Sequence, residues 1–148
     1  MKRAKLLLLP LLAPALMAET VPADIHDGGI CIGLGWATLQ PGEKVEVEHG
    51  PDFYVYYFSS SDDASAWGVY LGSAAQVTGN GPTLLKRDGL KIKRADKDGE
   101  FRGYLVQQRY SQNHFFGSAL KGTKADRAFF DRVDFGETGK ALCRKAKG

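Results

Sequence analysis

Two cysteines, three histidines and a few closely spaced carboxylates are the side chains in this chain with which chemistry could be done. Cys31 and Cys143 stand near the two ends. No histidine lies near either in sequence to activate a thiolate, whereas an even cysteine count in an exported chain points to a disulfide. That bond would close a loop of roughly 100 residues, worth about 4.7 kcal/mol through restriction of the unfolded chain. His26 in "DIHDG" and His49 in "EVEHG" sit beside acids, but neither they nor His114 show the paired spacing of a metal site. We expect no metal and no cofactor. The stretch "RADKDGEF" has the look of a calcium loop until its geometry is tested. With Gly99 at the invariant glycine, Arg94 falls at the first ligand position and Leu105 at the bidentate one. Asp98-Gly99 reads instead as a hairpin turn.

Glu46 and Glu48 would share one strand face at a spacing a glycosidase could use. They alternate with Val45 and Val47, the pattern of a half-exposed strand. The chain has no G-x-S-x-G elbow and no phosphate-binding G-x-x-x-x-G-K-[ST] loop, and "GLG" at 33–35 lacks the third glycine of a dinucleotide site. No catalytic residue is assigned. The residue types point to binding.

The first residues, "MKRAKLLLLPLLAPALMAET", place Lys2, Arg3 and Lys5 ahead of a leucine-rich run and then small residues, the plan of a secretory signal. We expect residues 1–18 to be removed, with Ala15 as a second cleavage position, and residues 19–148 to form one domain in the periplasm or outside the cell. No later apolar run is long enough to span a membrane. The net charge of +3 is carried by that leader, so it gives no reason to expect nucleic acid as a partner. The remainder is balanced but segregated: residues 19–63 hold nine acids and one base, residues 64–148 eight acids and sixteen bases. Either acidic strands pair with basic ones, or the molecule has a basic face for an anionic envelope component or an acidic protein. We expect the first, because strands distant in sequence commonly pair in sandwiches.

Period-two alternation predicts strands over 29–39, 44–49, 52–59, 66–77, 90–95, 100–110 and 114–120, separated by Gly-, Pro-, Asp- and Ser-rich turns. A helix is predicted over 123–136, with Thr123 as N-cap and Asp126 at the capping-box position. The tail 140–148 is expected to fray except at Cys143. The fold class is all-β, an antiparallel sandwich or flattened barrel with one short C-terminal helix.

The strand "DFYVYYF" has no face made for water. If Phe53, Val55 and Tyr57 enter the core with Trp67, Val69, Leu71, Phe101 and Leu105, then Tyr54, Tyr56, Tyr70 and Tyr104 gather on a second face beside Arg102. Two arrangements follow. The helix around Phe129 and Phe130 covers these tyrosines, which is the arrangement expected, or they stay open as a ligand-binding surface. The function implied is an exported non-catalytic binding module, monomeric or weakly dimeric, of inhibitor or immunity type. A cell-wall-polymer hydrolase and a structural envelope component are the alternatives.

Overall fold

The computed structural model describes residues 20–148 except 34, 74–76 and 109–110. The expected leader, residues 1–18, lies outside the described residues. The strands are β1 (Val21–Pro22), β2 (Gly29–Cys31), β3 (Trp36–Thr38), β4 (Lys44–His49), β5 (Phe53–Ser59), β6 (Trp67–Gly72), β7 (Thr83–Arg87), β8 (Leu90–Lys97), β9 (Glu100–Gln108), β10 (Ser111–Phe116) and β11 (Val133–Asp134). One helix, α1 (Glu137–Ala146), follows. An 8-stranded antiparallel sheet runs β1-β4-β5-β6-β10-β9-β8-β7, and a 3-stranded sheet runs β11-β3-β2. The large sheet stays open, with β1 and β7 at its edges, so the architecture is a sandwich and not a barrel. Among the described residues no helix is long and apolar enough to cross a membrane.

The small sheet and two 3-10 turns cover one face of the large sheet. Ile30, Ile32, Ala37, Phe130, Val133 and Phe135 meet Val45, Phe58, Trp67, Val69, Ile92, Tyr104, Val106 and Phe115 in one buried cluster. Its centre is aromatic: Phe58 stacks on Trp67 with centroids 3.6 Å apart, and Phe129 meets Trp67 edge-on at 5.0 Å. Polar groups close the margins. The Trp67 indole donates to Glu43 (2.9 Å), which also pairs with Arg132, while Arg132 donates to the Thr38 carbonyl (3.0 Å). The layers are thereby tied by directed bonds as well as by apolar contact.

Three expectations are corrected. The segment 123–136 is not one helix but two 3-10 turns, Lys124–Arg127 and Phe129–Arg132, followed by β11. Asp126 does reach back to the Thr123 amide (3.3 Å), yet it also accepts from the amides of Lys121 and Gly122 and from the Tyr104 hydroxyl (2.8 Å). Arg87 takes the carbonyls of Phe130 and Val133, which a continuing helix would need for itself. The helix forms in the tail instead, with Glu137 in its first turn and Arg144 and Lys145 in its last, each favoured by the helix dipole. Cys143 is disulfide-bonded to Cys31, 112 residues away, with Cα atoms 5.1 Å apart, so the bond clamps α1 onto β2.

Second, 29–39 is a hairpin and not one strand. Gly33 takes φ 79° and Ile32 N–H donates to Gly35 O (3.0 Å), so the chain reverses between β2 and β3. Third, acidic and basic strands do not pair. Glu46 and Glu48 stand opposite Tyr57 and Val55, while Lys91 stands opposite Lys86 and Gln107. The strand order sends the two charge blocks to opposite edges of the large sheet.

Candidate functional site

Cross-strand register decides which aromatic side chains leave the core. In β5 and β6 Phe58 faces Trp67, Tyr56 faces Val69 and Tyr54 faces Leu71. The ring stacking of Phe58 on Trp67 therefore puts the even residues of β5 on the covered face. Phe53, Val55 and Tyr57 lie on the other side with Gly68, Tyr70 and Gly72, the reverse of the expected assignment. In β9 the alternation itself breaks. Asp96 pairs with Phe101 and Ala95 with Gly103, so Arg102 is an extra residue, a β-bulge. Gly103 accommodates it at φ 120°, where a Cβ would collide with the Phe115 carbonyl. Phe101 and Tyr104, three apart, consequently meet edge to face at 5.2 Å on the covered side.

The five residues expected to form one ligand surface are not brought together. Tyr104 is buried (2 %), and burial with the Asp126 hydrogen bond drives its hydroxyl well above the ordinary phenol pKa. It is a core residue. Tyr56 packs against the core edge, its pKa raised first by burial and then by Tyr54. Tyr54, 52 % exposed, stands at the end of the covered face beside His49. Tyr70 and Arg102 alone lie on the open face, where Arg102 pairs with Glu100 (2.5 Å).

That open face carries a different constellation. Tyr57, Gly68 and Phe116 form one cross-strand row, and the Phe116 ring lies where a Gly68 Cβ would be, 2.6 Å from it. Tyr70 leans over Gly72 in the same way, and its ring runs nearly parallel to that of Phe53, at 22° with centroids 5.9 Å apart. A ring resting on a glycine lies down on the sheet and turns one π-face outward. Tyr57 donates to Glu48 (2.9 Å), and its pKa is raised first by partial burial and then by that bond. The alternation of Gly68, Tyr70 and Gly72 in "WGVYLG" was the available sequence signal for this floor.

Beside the rings an open cleft of about 580 Å³ is lined by Val77, Lys97, Asp98, Arg102, His114 and Phe116. His114 bonds the Arg102 carbonyl through Nε2 (2.7 Å); burial lowers its pKa against the opposing effect of that bond. Ahead of β7, Thr78 bridges to Asp96 and Gly79 rests on Leu105. A smaller hollow of about 120 Å³ on the covered side includes Arg94 and Arg127. Both already bond backbone, Arg94 to Gly122 O (3.0 Å) and Arg127 to Leu84 O (2.9 Å). His26 pairs with Asp24 (3.1 Å), and among the described residues no group of three His, Cys, Asp or Glu side chains could hold a metal ion. The open face can stack on apolar or planar groups and hydrogen-bond through its margins.

Comparison of the chain with protein-family models, curated proteins and solved structures gives no match.

Proposed function

We propose that this chain is an exported, non-catalytic binding protein, of inhibitor or immunity type, whose contact surface is the open face of its large sheet. One observation carries the reading. Phe53, Tyr57, Tyr70 and Phe116 lie on the sheet face opposite the small sheet, the 3-10 turns and α1, with two of the rings resting over glycines. Large aromatic rings are the residue types on which binding energy concentrates. The Cys31–Cys143 bond supports an oxidising compartment, periplasmic or extracellular.

The test uses the mature chain immobilised against an envelope extract, beside a Tyr57→Ser/Phe116→Ser variant. The wild type should retain a stoichiometric partner and the variant should lose it at an unchanged melting temperature. Equal retention by both would remove the open face from the function.

A further inference from the structure

The open face is graded in charge from one edge of the sheet to the other. One cross-strand row shows this: Glu48, Val55, Tyr70, His114, Leu105 and Lys93 are successive register partners from β4 to β8. The row begins at an acid and ends at a base. Glu46 extends the acidic end, with Lys44 at the end of β4. Lys86 and Lys91 extend the basic end and stand directly opposite each other, an arrangement that like charges disfavour. Among the described residues none of Lys86, Lys91 and Lys93 has an ion-pair partner within the chain.

We propose that the partner seated on this face is a second copy of this chain, related by a two-fold axis that runs along the strands between the two faces. The proposal rests on the reading of the open face as the contact surface and names its occupant. Such an axis keeps the strands aligned, as in face-to-face sheet packing, and reverses their order. Glu48 of each copy is laid over Lys93 of the other. The contact is isologous, so each attraction occurs twice. Tyr70 of each copy, at the middle of the row, faces His114 of the other across the axis. Self-pairing covers the aromatic rings in the free protein, and a foreign ligand for the same face competes with it.

The experiment is sedimentation velocity of the mature chain over a wide concentration range, for the wild type, Glu46→Lys/Glu48→Lys and Lys91→Glu/Lys93→Glu. Circular dichroism confirms the fold of each, and the single changes Glu48→Lys and Lys93→Glu replace a double variant that does not fold. The wild type should pass from monomer to dimer. Each reversal alone should weaken dimerisation at least about tenfold, since it sets like charges against each other at both ends. An equimolar mixture of the two should restore the dimer as a heterodimer. A wild type monomeric at every concentration, reversals that dimerise as the wild type does, or a mixture that stays monomeric would each overturn the proposal. The Tyr57→Ser/Phe116→Ser capture test reads separately: capture that still depends on those rings leaves the binding role standing when self-pairing fails.

Discussion

The two faces of the large sheet are built from the same residue types and behave differently. On the covered face Phe58, Trp67, Phe115, Phe130 and Tyr104 interlock, stacked or edge to face, and the Tyr104 hydroxyl finds a buried carboxylate in Asp126. On the open face Phe53, Tyr70 and Phe116 lie side by side or on glycines, and the Tyr57 hydroxyl meets a carboxylate at the surface. Aromatic content alone does not say which face is core. The covered face has a second layer whose turns and helix are fastened by Asp126, Arg87, Arg132 and the disulfide, whereas on the open face, among the described residues, Gly79 rests on Leu105 and no second sheet packs.

The comparison breaks most visibly where the second layer is fastened. Replacing Cys31 and Cys143 by alanine should lower stability by about 4.7 kcal/mol, less any strain released; urea unfolding of the unreduced wild type and the variant measures it. Next is the bulge that assigns β9 residues to their faces. Gly103→Ala forces a side chain into positive φ against the Phe115 carbonyl and should cost roughly 3 kcal/mol by the same measurement. Tyr104→Phe leaves Asp126 without its hydroxyl donor and should cost about 1–2 kcal/mol.

On the open face the effects on folding should be small. Tyr57→Ser removes an exposed ring and one surface hydrogen bond, and stability should change by about 0.5 kcal/mol or less while association is lost. A loss as large as that of a core substitution would show that this face is core after all. His114 gives the finest distinction. Burial holds its folded pKa below the unfolded value, so the unfolded chain binds the proton first as pH falls through about 6.5. Stability should decline below that pH until the folded pKa is passed, and His114→Gln should remove this contribution, read from melting at pH 5 and pH 8.

The strands whose alternation is strong were legible. Lys44–His49 and Phe53–Ser59 form where apolar and polar residues alternate or β-branched and aromatic residues concentrate. The hairpin at Asp98-Gly99 follows from turn chemistry, with both residues at positive φ. β7 was missed because "TLLKR" bulges between Thr83 and Leu85, so Leu84 and Leu85, adjacent in sequence, both turn to the core. The helix was misplaced because the spacing of Ala125, Phe129 and Val133 obeys a helical period, whereas the carbonyls of that stretch are claimed by Arg87 from a strand more than forty residues away. Of the expected ligand surface only Tyr70 and Arg102 reach the open face.

The sequence by itself determined the all-β class, the bounds of the well-patterned strands, the pairing of its two cysteines and the separation of charge along the chain. These depend on neighbours two to four residues apart, or on there being a single way to pair two thiols. Only the tertiary structure decided which aromatic rings are core and which are surface, because that turns on register. The fit of Phe58 on Trp67 across two strands fixes one register, and the single extra residue Arg102 inverts the other. A one-residue shift exchanges every side chain between faces at no change in composition or periodicity. The strand order, likewise invisible along the chain, turned a linear segregation of charge into opposite edges of one sheet.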